Sequence, residues 1–507
     1  MKRLLLGFIL LVGLTVKAQK EVASLAVPYS SDFYSDKESV AVSNAKTKDL
    51  VLLIEDNDKT ILSLLNEDFK QIGVLEGEKL DRKFKTFIGY SIQSDTYYIF
   101  FKNNTDKKFG YIEFNFKSAA VAQFPLDFKL EDEKYVEGIT QNDVFYLMTA
   151  DKKSDNVNFY EFTKQKQLVK HAVDFKSATY ESNLNGITVN HTPYKLLTSN
   201  SWGNNGSLTK IDLNSPGAIE STSEKVKLYQ LGNELIFTFD NQDDKTCIIS
   251  INTTDFSKKE IVFEKPSLDL VYDSASYNTF SHNSLYNNGV LYQAICSSKE
   301  LKLTAKNFND NKLLKQLYIS EANDTISFKN GPIIQENTSM WYKDNKRVRE
   351  LEKTSKFLRK VSNGKLGIIA FVNKNNIKQI TIGGYIERKG GGGFGMMPMG
   401  GIPMGGIPMG GMMLTASFNP VMTAYNGYSY TKSTRIDCLF DDSFNHLEGE
   451  IEKNIFDKIH DEENVIKKYK HLGFRLNLKN IYRHNNKFYL SYLDDSDKKY
   501  NIVEFEN

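Results

Sequence analysis

Short apolar runs, each followed by a polar turn and a second run in which apolar and polar residues alternate, recur along most of the chain. The first runs begin at Leu50 (LVLLI), Tyr97 (YYIFF), Val144 (VFYLM), Tyr194 (YKLLT), Leu235 (LIFTF), Val290 (VLYQAI), Leu366 (LGIIAF) and Phe488 (FYLSYL). Their spacings are 47, 47, 50, 41, 55, 76 and 122 residues. In the second runs Ile112, Phe114 and Phe116 alternate with Tyr111, Glu113 and Asn115, and Leu301, Leu303 and Ala305 with Lys302, Thr304 and Lys306. A period of two marks a strand with one buried face. Asn- and Asp-rich turns at 103–106, 151–155, 240–245 and 494–499 suit antiparallel hairpins. Shorter strands are predicted ahead of several units, at 87–90, 135–139, 226–231 and 474–481.

A repeat of about 40 to 50 residues carrying three or four strands predicts an all-β chain built as a β-propeller, with seven or eight blades of antiparallel strands. No single hairpin can bury its apolar face, whereas stacked blades give each face a partner and ring closure protects the edges. Strands near 22–34 and 500–505 are expected to close the ring. The period fails between Leu366 and Phe488. Part of that gap, 390–413, is a Gly/Met/Pro-rich flexible loop, expected between a strand at 379–386 and another near 414–418. Tyr428-Ser429-Tyr430 and 435–440 suggest a further hairpin. Leu447, Ile451, Ile455 and Ile459 recur every four residues, which predicts a helical decoration over about 448–469. The expected organisation is thus 1–18 leader, 19–389 blades, 390–413 loop insert, and 414–507 remaining blades with the helical insert.

The first residues bear on compartment. Lys2 and Arg3 precede an apolar run from Leu4 to Val16, and Val16 and Ala18 supply small residues before a cleavage site. This is the pattern of a secretory signal peptide cut after Ala18. The run is shorter than the roughly 20 residues a membrane-spanning helix needs. Export to the periplasm, the cell surface or the medium is the expectation. Only three cysteines are present, Cys247, Cys296 and Cys438, each in a strand-like run. They suit small buried side chains rather than a disulfide framework.

Composition narrows the class. With 507 residues, 40% hydrophobic and 25% charged, the chain is globular rather than disordered. Its 33 Phe and 27 Tyr against 10 Pro favour strands. Sixty-five basic and 63 acidic residues leave a net charge of +2, and loss of Lys2, Arg3 and Lys17 would make it −1. So even a balance argues against a dedicated nucleic-acid binder. The chain resembles the exported bacterial β-propeller-like proteins, a poorly characterised pool. The resemblance is architectural and implies no catalytic residues. WD dipeptides are absent, Gly383-Gly384 is a single glycine pair after a strand, and Ser201-Trp202-Gly203-Asn204 departs from an Asp-box.

Candidate chemistry is sparse. Seven of the 11 methionines, Met396, Met397, Met399, Met404, Met409, Met412 and Met413, fall in the Gly-rich loop. The segment reads as a tolerated repeat insertion, as an adaptable contact surface, or as a thioether set for soft metals such as Cu(I). His460 and His471 could share a helix face near Asp461, Glu462 and Glu463, although a solvated helix face accounts for them better, with no closer His pair to support a metal. Acid pairs at 131–133, 243–244, 441–442 and 494–495 fall where solvated turns are expected. Asp56-Asn57-Asp58 lacks the glycine and distal glutamate of a calcium loop. Trp202 and Trp341 sit in polar contexts that suit either sugar stacking or a blade junction. No nucleophile-elbow, phosphate-loop or dinucleotide fingerprint occurs. The expected function is that of a monomeric, non-catalytic exported propeller without a cofactor, binding a protein, glycan or envelope partner. The alternatives are a carbohydrate-active enzyme with carboxylates in its channel, and soft-metal binding through the Met-rich loop.

Overall fold

The computed structural model describes residues 20–26, 38–55, 59–78, 84–184, 186–198, 208–268, 280–338, 346–373, 375–386, 418–469, 476–494 and 496–506. Strand β1 (Lys20–Ala26) pairs with none of the strands next to it in the chain. Blade one holds β2–β5 (Glu38–Ser43, Leu50–Glu55, Lys59–Leu65, Gln71–Glu78), and blade two β6–β9 (Phe84–Gln93, Thr96–Asn103, Phe109–Asn115, Ala120–Leu126). Blade three is β10–β13 (Glu133–Gln141, Val144–Asp151, Asn156–Phe162, Leu168–Asp174), followed by a separate hairpin, β14–β15 (Tyr180–Leu184, Ile187–His191), and helix α1 (Pro193–Thr198). Blade four is β16–β20 (Leu208–Ile211, Val226–Leu231, Glu234–Phe239, Lys245–Asn252, Lys258–Glu264), with helix α2 (Ile219–Thr222) between β16 and β17. Blade five is β21–β24 (Ser281–Asn287, Val290–Cys296, Glu300–Asn307, Leu313–Ser320).

Blade six is assembled out of chain order. Strands β25 (Ile333–Thr338) and β26 (Lys346–Leu351) precede helix α3 (Thr354–Ser362), β27 (Lys365–Val372) and β28 (Lys378–Tyr385). After helix α4 (Pro420–Tyr430), β29 (Ser433–Phe440) inserts between β28 and β25, so the spatial order is β26-β25-β29-β28-β27. Helix α5 (Ile455–Tyr469) then leads into blade seven, β30–β32 (Asn477–His484, Lys487–Asp494, Lys499–Phe505). β1 pairs antiparallel with β32 and completes that blade from the other end of the chain.

Seven sheets of four or five strands therefore follow one another along the described residues. Hydrogen bonds through side chains join neighbouring blades at several seams, and helices α4 and α5 pack on blade seven where it follows blade six. Asn44 Nδ2 donates to Tyr97 OH, Tyr90 N to Thr140 Oγ1, Tyr286 N to Tyr229 OH, and Asn283 Nδ2 to Leu366 O. Ser39 Oγ donates to Leu478 O across the closure between blades one and seven. The burial gradient explains the apolar runs. β3, β7, β11, β22 and β31 lie inside their blades and are buried on nearly every residue, because a neighbouring blade, or for one face of β31 the helices α4 and α5, covers each face. The outer strands β5, β9, β13 and β20 are largely exposed.

Several expectations are corrected. The run at Tyr194 is helix α1, not a strand: Pro193 opens it with its preset φ, and Leu196 and Leu197 bury against the core of blades three and four. Without that run there is no eighth blade among the described residues. Tyr428-Ser429-Tyr430 is the end of α4 rather than a hairpin, because Asn419 accepts from Met422 N at 3.1 Å and Pro420 follows as the first helical residue. Of the strand expected near 414–418, Phe418 stands just before the Asn419 cap of this helix and is not in a strand, and 414–417 lie outside the described residues. The C-terminal helix starts at Ile455, later than expected, because the Asn454 side chain accepts from Phe456 N and Asp457 N. Glu448 to Asn454 are not helical. The closing strand β1 was expected; residues 27–34 of that expectation lie outside the described residues.

Candidate functional site

Blade four carries an extra inner strand, β16, running parallel to β17. Its residues and those after it reach inner strands of other blades. Lys210 Nζ donates to Gly138 O in β10 at 2.6 Å and pairs with Glu137 at 3.1 Å. Asp212 lies 3.6 Å from Arg483 in β30. Phe418 packs edge-on against Phe87 and Tyr90 of β6, and Lys210 stands over its ring. Helix α2 lies on β27, where Gly367 leaves room: a Cβ there would fall 2.5 Å from Ile219 O. These contacts spread around the ring and place β16, α2 and Phe418 on its axis. Glu137 and Asp212 are each ion-paired where this plug meets the inner strands, with Lys210 and Arg483.

A cleft of about 200 Å³ opens where this plug meets blade six. β29 supplies its floor. Thr434, Ile436, Cys438 and Phe440 point into the blade core, so Ser433, Arg435 and Asp437 face the opposite way. The Arg435 guanidinium is the hub, 2.6 Å from Glu336 on β25 and 3.5 Å from Asp437. Ser433 Oγ also donates to Glu336, and Thr381 Oγ1 to Asp437. On the other wall Thr431 donates to Glu220 of α2, and Tyr428 OH donates to Asp457 at 2.7 Å. Arg435 stands over the Tyr428 ring at 5.8 Å. Gly427 lets α4 close on α2, since a Cβ there would sit 3.0 Å from Ala218 Cβ.

Burial and ionic partners oppose each other at Arg435. Desolvation disfavours its charge, but Glu336 and Asp437 outweigh it and raise its pKa. Tyr428 is pushed well above the ordinary tyrosine value, by burial first and then by Asp457.

A second polar cluster lies where blades four and five meet. Asp240 is fully buried. It accepts from Lys227 Nζ at 3.0 Å, Thr246 Oγ1 at 2.8 Å, and both Ser284 Oγ and Ser284 N at 2.7 and 3.1 Å. Lys265 and half-buried Lys225 both donate to His282 Nδ1, at 2.8 and 3.2 Å. Nδ1 is therefore the bare nitrogen, and Nε2–H donates to Asp243 at 2.9 Å. Burial, then the neighbouring lysines, push Lys225 down to about 7, with Asp240 opposing. Burial pushes Lys265 down to about 8. Asp240 is held below the usual carboxylate range: burial opposes this, and Lys227 and Lys265 overcome it.

Sequence reasoning missed both places. Charged residues two apart in β29, Arg435 and Asp437, between core residues, were the available signal. Glu336, Glu220 and Asp457 come from distant stretches and carried none. Of the acid pairs expected in solvated turns, Glu133 instead turns inward to accept from Tyr160 OH and Lys170 Nζ. Asp494 is buried as well. Asp243 binds His282. The three cysteines are buried and unpaired with one another, as expected. His460 lies on α5; His471, Trp202, Trp341, the 56–58 acids and all seven loop methionines, Met396, Met397, Met399, Met404, Met409, Met412 and Met413, lie outside the described residues.

No protein-family profile matches the chain, and no curated protein matches it either. Among solved structures, a Synechocystis apocarotenoid oxygenase mutant is 7% identical with a TM-score of 0.28, over 56% of this chain and 61% of that one. The WD40 domain of SCAP from fission yeast is 9% identical with a TM-score of 0.27, over 69% and 73%. Prolyl oligopeptidase B from Galerina marginata is 10% identical with a TM-score of 0.27, over 54% and 32%. Likeness at these scores carries no argument about activity.

Proposed function

We propose that this chain is an exported, non-catalytic propeller that binds a protein, glycan or other envelope partner through the cleft at blade six. The observation that carries this reading is how the cleft's polar atoms are held. Glu336, Asp437, Glu220 and Asp457 each accept from a neighbouring side chain of the fold, so their oxygens stand at set positions. A lining ordered before the partner arrives binds without the entropy cost of ordering it afterwards. Carboxylate oxygens beside the Tyr428 ring suit hydroxyl-rich sugars or cationic side chains.

The test places a photo-crosslinking residue at Lys453, on the cleft rim, in the producing cell. A discrete adduct in the envelope fraction is expected, absent from a control position at Lys107 in blade two. An identical adduct pattern from both positions, or none at Lys453, overturns the reading. The enzyme reading is tested separately by incubating the purified chain with envelope glycans. Release of reducing ends that disappears in a Glu336→Gln, Asp437→Asn variant would replace binding by hydrolysis.

A further inference from the structure

Helix α3 is short and two-faced. Phe357, Leu358 and Val361 are buried in the core of blades five and six. Lys356, Arg359 and Lys360 fall three and four positions apart and so share the opposite side. Lys356 and Arg359 are exposed, and Lys360 is half-buried. The end of the helix is pressed onto β28: a Cβ on Gly364 would sit 2.7 Å from Tyr385 O and 3.3 Å from Lys360 O. Tyr385 pairs with Ser433, which brings the preceding residue, Lys432, to the same corner. Exposed Arg349 comes from β26, at the outer edge of the blade. Arg349 pairs with Gln335, and Gln335 with Thr434, which sets it across two strands from Lys432; Lys360 is held below the usual lysine range, by burial first and then by Lys432, Arg359, Arg349 and Lys356.

Several surface lysines elsewhere on this protein have carboxylate partners, as Lys48 has Glu67 and Lys453 has Asp461. Among the described residues none of Arg349, Lys356, Arg359, Lys360 and Lys432 forms a salt bridge or a side-chain hydrogen bond. Mutual repulsion of five cations is a standing cost, and an anionic partner would relieve it.

We propose that this face of blade six, formed by α3, β26 and the start of β29, is a docking surface for an anionic phospholipid membrane. Charge complementarity supplies the attraction. The cations project from one helix and two strands as a broad patch, which suits a plane of headgroups. A single-stranded nucleic acid would call for aromatic faces on which to stack bases. The exposed described residues of the patch, Arg349, Lys356 and Arg359, present charge.

The experiment is co-sedimentation of the chain from Gln19 onward with vesicles of phosphatidylglycerol and phosphatidylcholine, against pure phosphatidylcholine, at low and high salt. Binding to the anionic vesicles at low salt is expected, lost at high salt and absent with phosphatidylcholine. Each basic residue near an anionic surface is worth about fivefold. An Arg349→Gln, Lys356→Gln, Arg359→Gln, Lys360→Gln variant should thus bind at least tenfold more weakly. A control variant, Lys107→Gln, Lys312→Gln, should bind as wild type. If the fourfold variant does not fold, Lys356→Gln, Arg359→Gln, confined to exposed helix positions, takes its place. Absence of anionic-vesicle binding by the wild type overturns the proposal. So does equal binding by wild type and patch variant, or capture by immobilised heparin without capture by vesicles.

Discussion

His282 shows how position, rather than residue type, sets chemistry here. Two lysine ammonium groups donate to its Nδ1, which leaves no room for a second ring proton. Burial is the first cause that pushes its pKa from 6.5 down to about 4, and Lys225 and Lys265 add to it against the favourable bond to Asp243. Between these two values the unfolded chain binds a proton that the folded chain refuses. Stability from this group is therefore complete above pH 6.5 and is lost as pH falls toward 4, by up to about 1.4 kcal/mol per pH unit. His282→Gln keeps one acceptor for the lysines and one donor for Asp243 but does not titrate. Urea unfolding of wild type and variant across pH 4 to 7 should differ in slope by close to one proton. Parallel curves would refute this account. A histidine early in a strand gives no sign of this in sequence, because both lysines and Asp243 come from the ends and connections of blade four's strands.

At the level of elements, ring closure depends on seven residues. β1 pairs with β32 from Lys20↔Glu504 to Ala26↔Lys499. Ala23 is buried, and Val22 and Leu25 pack against the core shared by blades one and seven. Deleting residues 20–26 exposes β32 as a free edge and uncovers these contacts. A loss on the order of 3 kcal/mol is expected, read as a lower urea midpoint, together with self-association through the bare edge. A midpoint equal to wild type would mean that β1 is dispensable. The alternating and continuous apolar runs made most blades legible because each sits between two others. α1 and α4 were not legible, since their starts depend on Pro193 and on the Asn419–Pro420 cap, which a strand period passes over.

For the whole molecule, closure and export meet at one place. Cleavage after Ala18 would free Gln19 and leave β1, beginning at Lys20, intact to join β32. Protein recovered from the producing cell should begin at Gln19 and lie outside the cytoplasm. N-terminal mass spectrometry of the fractionated cell decides this, and an intact 1–18 segment on cytosolic protein would refute export.

The architecture is set by local information. Apolar runs about one blade apart, alternation within strands and Asn/Asp turns specify hairpins, and hairpins with two apolar faces must stack. The material between the blades is not set locally. β29 entering blade six after a long excursion, β16 and α2 filling the axis, and the gathering of Glu220, Glu336, Arg435, Asp437 and Asp457 in one cleft all join residues far apart in the chain. A hydrophobic period reports burial of a face, whereas a buried charge is tolerated only where its partners arrive. Those partners are supplied by the tertiary fold.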